Sequence, residues 1–260
     1  MHELNERFRQ RIGFPLAEAI TLQNLEIVLE KVAKTVPFEN MAIIGGKTGE
    51  ISPAYLQDKI IERKEGGLCY DINSLLYLFL RENGLNVALI KGITYDPANQ
   101  AWSKTGATHA CILLEDNGRQ YVVDSGYGAN LPLKPVPLDG ELIVSDNGEF
   151  KIEQKPSEYG DYMLYVKLKD KDEDWRIGYA FCSTKVFDDV KELNEMQGII
   201  VNHPASRFNK DPLLSLLTDK GSIVLTNHSF TEWSDGTKQK EDIDSQEFIL
   251  KAKERFGIRS

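Results

Sequence analysis

The chain has 260 residues, 41% of them hydrophobic and 27% charged, with a formal net charge of −9. That composition fills one large core or a few small ones, and the acidic balance argues against non-specific nucleic-acid binding and against docking on anionic membranes. Three cysteines, Cys69, Cys111 and Cys182, with no CxxC spacing, argue against a disulfide framework, a structural zinc site or any other metal centre.

The N-terminal run Met1–Phe8 is polar and carries no apolar signal core, and no stretch reaches bilayer-crossing length. The expectation is a soluble, cytoplasmic protein. Leu16, Ile20, Leu22 and Leu25, then Ile27, Val28 and Val32, recur at helical spacing. The turn Pro37-Phe38-Glu39-Asn40 breaks that pattern. Ser52-Pro53 offers an N-cap and an N1 proline for a helix carrying Leu56, Ile60 and Ile61. Beyond Glu65-Gly66-Gly67, the residues Leu68, Ile72, Leu75, Leu76, Phe79 and Leu80 form the stripe of another helix, which Asn83-Gly84 stops.

From about residue 86 the segments read as strands: 87–93, 110–114, 121–123, 141–144, 163–166 and 175–179. Turn chemistry such as Asp146-Asn147-Gly148 separates them, which predicts an antiparallel sheet or small barrel. The end mixes a helix near Val186–Met196, a Pro- and Asn-rich loop, a strand Ser222–Thr226 and a closing helix. That last helix is capped near Asp244 or Ser245 and turns Phe248, Ile249, Ala252 and Phe256 inward. With no repeat and no long linker, the parts are expected to pack as one unit.

The chemistry begins at Cys69, which opens a helix after two glycines. The positive end of the backbone dipole favours thiolate there, and nearby backbone N–H groups are natural oxyanion donors. Four histidines are available: His2, His109, His203 and His228. His109 starts a strand whose hairpin carries the Asn117-Gly118 two-residue loop signal. With that loop, paired residue numbers sum to 235, so His109 lies opposite Gly126 and diagonal to Asp124. The two side chains then share a face. A four-residue loop preserves this parity; a three- or five-residue loop destroys it. Cys69, His109 and Asp124 together make a nucleophile, a base and an orienting acid. Cys111, mid-strand in an apolar run, reads as packing, and Cys182 as structural. His203 and Arg207 read as surface-loop residues.

At this point the sequence resembles the arylamine N-acetyltransferases. The matching residues are Pro37-Phe38-Glu39-Asn40, Gly66-Gly67-Leu68-Cys69 with Asn73, Thr108-His109, Val123-Asp124-Ser125-Gly126-Tyr127-Gly128, Asn202-His203-Pro204-Ala205-Ser206-Arg207-Phe208 and Phe256-Gly257-Ile258. The resemblance spans nearly the whole chain. It implies an α+β fold with a cysteine-proteinase-like core: an N-terminal helical bundle (1–85), a central antiparallel β-barrel (86–185) and a C-terminal α/β lid (186–260). It also implies a ping-pong reaction in which acetyl-CoA acetylates Cys69 and an arylamine or arylhydrazine takes the acetyl group. Acetyl-CoA is then a co-substrate, with no permanently bound cofactor. Thr105, Gly106, Gly126 and Gly128 correspond to CoA-contacting positions, and Phe38, Leu68 and Tyr127 to the acceptor pocket.

Two positions depart from the family pattern. Glu65 stands where arginine is usual before the double glycine, and Asp71 where glutamate or glutamine is usual. Glu39 is therefore expected to face Glu65, two like charges that need Lys64, Arg63 or solvent to relieve them. The same Cys-His-Asp order also fits a transglutaminase-like or thiol amidase, an amide synthase, or a weakly active homologue that binds CoA or aromatics.

Overall fold

The computed structural model describes residues 3–258; His2 lies outside them. Glu3–Ile12 form α1, whose Leu4, Phe8 and Ile12 point inward at helical spacing. The pattern that starts at Leu16 becomes helical only at α2, Leu25–Thr35, and Leu16 and Ile27 lie at the surface. Met41–Ile44 form the short α3. Pro53–Leu56 form α4, with Ser52 Oγ accepting the Tyr55 N–H, and the helix continues as a π-helical segment, Gln57–Glu62. Cys69–Glu82 form α5, the helix at the centre of the molecule, buried on nearly every side.

The strands are β1 Phe38–Glu39, β2 Asn86–Asp96, β3 Ala101–Trp102, β4 His109–Asp116, β5 Arg119–Val123, β6 Val136–Pro137, β7 Ile143–Ser145, β8 Gly148–Ser157, β9 Gly160–Leu168, β10 Arg176–Phe187, β11 Leu213–Thr218, β12 Gly221–Thr226, β13 Ser229–Ser234 and β14 Thr237–Asp242. Nine of them form one antiparallel sheet in the order β6-β5-β4-β2-β10-β9-β8-β7, with β3 added beside β2. β6 approaches β8, so the sheet curls into a nearly closed barrel filled by residues such as Phe150, Leu164, Tyr179 and Phe181. The other five form a sheet ordered β1-β11-β12-β13-β14. Its first strand comes from the Pro-Phe-Glu-Asn turn, and its apolar face packs on the closing helix α7, Ser245–Phe256.

The helix expected near Val186–Met196 begins later: β10 runs on to Phe187, and helix α6 spans Leu193–Asn202. α6 buries Leu193, Met196 and Ile200 in the same core as the N-terminal helices. α7 starts as read, with Asp244 Oδ1 accepting the N–H groups of Gln246 and Glu247. Ile249, however, is exposed rather than inward. Among the described residues no helix is long and apolar enough to cross a membrane.

Candidate active site

The loop before Cys69 is clamped by the Pro-Phe-Glu-Asn turn. The Glu39 N–H donates to Gly67 O at 3.0 Å, and the Gly67 N–H donates to Pro37 O at 3.2 Å. A Cβ on Gly66 would lie 1.8 Å from Pro37 O, so only glycine lets these two segments approach. Asn40 anchors the same turn to the far end of the chain. Its side chain donates to Phe208 O and Asp211 O and accepts the Leu213 N–H. Cys69 emerges as the first residue of α5.

The hairpin has the register read from the sequence. β4 and β5 pair from Asp116↔Arg119 to Ile112↔Val123, turning through Asn117 and Gly118 at positive φ. His109 and Asp124 therefore meet: Nε2 of the imidazole donates to Asp124 Oδ2 at 2.7 Å, both groups buried. That commits His109 Nε2 to Asp124 and leaves Nδ1 as the ring nitrogen for Cys69, whose negative charge favours the charged imidazole. The Cys69 Sγ lies 3.6 Å from Thr108 O.

One buried side chain joins helix and hairpin. Asn73, four residues beyond Cys69 on α5, donates to Asp124 Oδ1 at 2.8 Å and to Ala110 O at 2.7 Å, and accepts the Ser125 N–H at 2.8 Å. Asp124 also accepts the Gly126 N–H and the Tyr179 hydroxyl. These donors, beside the His109 charge, hold the Asp124 carboxyl below its usual range although burial pushes it up. Burial likewise opposes charge on His109, but Asp124 outweighs it and pushes the imidazole up to about 10.

Each remaining candidate has a defined place. Thr105 and Gly106 form the turn that delivers His109, with Thr105 Oγ1 2.7 Å from Thr108 Oγ1. Gly126 packs on the nucleophile, since a Cβ there would lie 2.6 Å from Cys69 Cα, and its N–H is already committed to Asp124. Gly128, at φ +60°, lies beside Phe38, whose ring meets Phe208 edge-on at 5.8 Å. The Tyr127 ring sits 5.2 Å from the imidazole and its hydroxyl donates to Gly178 O. Leu68 is buried at the start of α5. Cys111 is buried on the barrel side of β4, and burial pushes its thiol up.

The charge conflict is resolved by a residue outside the motifs. Glu65 faces Arg63, which donates to both its carboxylate oxygens at 2.7 and 2.8 Å. The buried cation is Lys59, whose ammonium donates to Asp71 Oδ2 at 2.9 Å with both groups out of solvent. Glu39 is buried, which pushes its carboxyl up against the pull of Lys59. Sequence reasoning missed Lys59 and Tyr179, and named Asn73 and Phe208 only within matching motifs, without a role in the site. The sole signal for Lys59 is that a buried Asp71 demands a cation. Tyr179 gives no signal, because a bulge at Gly178 shifts its register against β9.

Two outcomes follow from this geometry. The folded His109 value lies above its ordinary 6.5, so the pair's contribution to stability is complete below pH 6.5 and is lost as pH rises through about 10. In NMR titrations the ring stays charged at pH 8 in the native protein. In Asp124→Asn the main support for the ring's charge is gone while burial still opposes it, so the ring titrates well below its native value; an unchanged titration in that variant contradicts the pairing. Asn73→Ala leaves Ser125 N–H and Ala110 O buried without their partner, which costs roughly 2–4 kcal/mol, visible as a lower denaturant midpoint with little change in slope.

The comparisons agree with this geometry. A family model described as N-acetyltransferase matches residues 21–259. An uncharacterized acetyltransferase, YvcN, of Bacillus subtilis (strain 168) is 38% identical over 248 residues, covering 95% of each chain. The crystal structure of arylamine N-acetyltransferase C from Bacillus anthracis is 37% identical and superposes with a TM-score of 0.94 over 100% of both chains. The NAT3 arylamine N-acetyltransferase of Bacillus cereus, described as having a unique Cys-His-Glu catalytic triad, is 34% identical with a TM-score of 0.94 over 100% of both chains; here the carboxylate that meets His109 belongs to an aspartate, Asp124. From its barrel, its Cys-His-Asp constellation and these full-length matches, the chain belongs to the arylamine N-acetyltransferase family of acyltransferases.

Proposed function

We propose that the chain transfers acetyl groups from acetyl-CoA to the nitrogen of small aromatic amines or hydrazines through an acetyl-Cys69 thioester. The observation that carries this reading is the 2.7 Å bond of His109 to Asp124 beside Cys69 at the start of α5, whose Sγ lies 3.6 Å from the carbonyl of Thr108, the residue before His109. The Cys69 thiolate attacks the thioester carbonyl of acetyl-CoA. First-turn N–H groups of α5 stabilise the oxyanion, and CoA leaves with the proton that His109 carried. The amine nitrogen then attacks the acetyl-cysteine, neutral His109 accepts its proton, and Cys69 departs as thiolate. Asp124 keeps the imidazole in one orientation and stabilises its charge throughout.

The Gly126–Gly128 segment, which packs on Cys69 at Gly126, and the turn of Thr105 and Gly106, which leads to Thr108 O at 3.6 Å from Sγ, are assigned to CoA. Phe38, Leu68 and Tyr127, with Phe208 added by its contact to Phe38, are assigned to the acceptor ring. Flat aromatic walls favour an aryl acceptor over a peptide amine. A thiol amidase or amide synthase uses the same triad, so the donor decides between the readings.

Intact-mass measurement after mixing with acetyl-CoA yields one added acetyl group on the native chain and none on Cys69→Ala. CoA is then released on adding an arylamine. No adduct on the native chain, or the same adduct on Cys69→Ala, refutes the proposal. Amide hydrolysis in the absence of CoA supports the amidase instead.

A further inference from the structure

Negative charge crowds the start of α5. Asp71 lies two residues beyond Cys69, buried, with Oδ2 accepting the Leu68 N–H at 3.1 Å. Its Oδ1 is buried with no hydrogen-bond partner among the described residues. Glu39 is buried on β1 nearby, and Glu65 lies at the edge of the same loop. An isolated carboxylate here opposes a thiolate two residues away along the helix and works against the helix dipole. Among the described residues a single buried cation enters this cluster. Lys59 reaches in from the π-helical segment and donates to the oxygen of Asp71 that also holds Leu68.

We propose that Lys59 is the positioning residue for the nucleophile, acting through Asp71: its ammonium cancels the Asp71 charge and so permits negative charge on Cys69. The groups facing this pair are Glu39 from β1, Tyr55 from α4 and Tyr70 from α5; Glu65 from the loop faces Glu39, and Cys69 lies two residues before Asp71 on α5. Burial works against the Lys59 charge, yet Asp71 and then Glu39 outweigh it and hold its pKa above the usual lysine value. The ammonium therefore persists wherever the enzyme is folded and neutral solution prevails. The inference rests on Cys69 being the acylated nucleophile, but it predicts thiol reactivity with no acetyl-CoA present.

The test is the rate of Cys69 alkylation by iodoacetamide against pH in four full-length proteins, with Cys111→Ala and Cys182→Ala in the background. Lys59→Arg keeps the charge and stays within about threefold of the parent. Lys59→Met leaves Asp71 uncompensated: alkylation at pH 7 slows at least about tenfold and the profile moves to higher pH. Lys59→Met/Asp71→Asn removes both charges and returns the profile to within a few-fold of the parent. A Lys59→Met profile that overlays the parent overturns the proposal. So does a double variant that melts like the parent yet is as slow as Lys59→Met, since that marks a tether rather than a charge. If Lys59→Met does not fold, the double variant decides: a parent-like profile supports the proposal and a tenfold slower one overturns it. If the native chain gains no acetyl group but this series behaves as stated, the acyl-transfer reading falls and the role of Lys59 stands.

Discussion

The whole site depends on one amide side chain. Asn73 is fully buried and uses both ends of its carboxamide to lock a helix to a hairpin. It sits one helical turn from the nucleophile, so whatever fixes Asn73 also fixes Cys69. Its partners are the acid of the triad and the backbone on either side of that acid and base. A displacement of α5 relative to β4 and β5 would break three buried hydrogen bonds in a dry interior, where each unpaired group is expensive. The nucleophile and its base come from different layers of the fold, and this network sets their separation.

Electrostatics divides the site into two balanced pairs. Asp124 with His109 lies on the barrel side, and Asp71 with Lys59 lies below the start of α5. Both are fully desolvated, which makes each pair weak evidence for stability but makes removal of one member costly. An acidic protein thus holds two buried carboxylates near Cys69, each against its own cation.

Much of this was legible in the sequence. Period-two alternation and the Asn117-Gly118 loop gave the His109–Asp124 register without any structure, because a tight hairpin leaves parity no freedom. The glycines and the apolar stripe from Leu68 placed Cys69 on its helix. The rest was hidden for physical reasons. β4 is buried on both faces, Ala110 and Ile112 toward the helices and Cys111 and Leu113 toward the barrel, so its residues do not alternate in polarity. The bulge at Gly178 erases the parity that would assign Tyr179 to a face. Lys59 sits in a π-helical stretch, whose widened turn breaks the spacing rule that would mark it as inward. β14, Thr-Lys-Gln-Lys-Glu-Asp, carries no apolar residue to mark it, and the leucines of β11 do not alternate as those of a half-buried strand do.

The pairing of β1 with β11 has a consequence in time. Phe38 pairs with Ser215, and Glu39 pairs with Leu214 as well as holding Gly67. Residues near the start of the chain therefore wait for a strand near its end before their sheet is complete. A nascent chain leaving the ribosome exposes Cys69 long before Leu213–Thr218 has been made. Helix, hairpin and barrel all precede that strand in synthesis. The loop before Cys69 is thus finished only after Leu213–Thr218 has been made, which ties the surroundings of the thiol to a strand synthesised long after it.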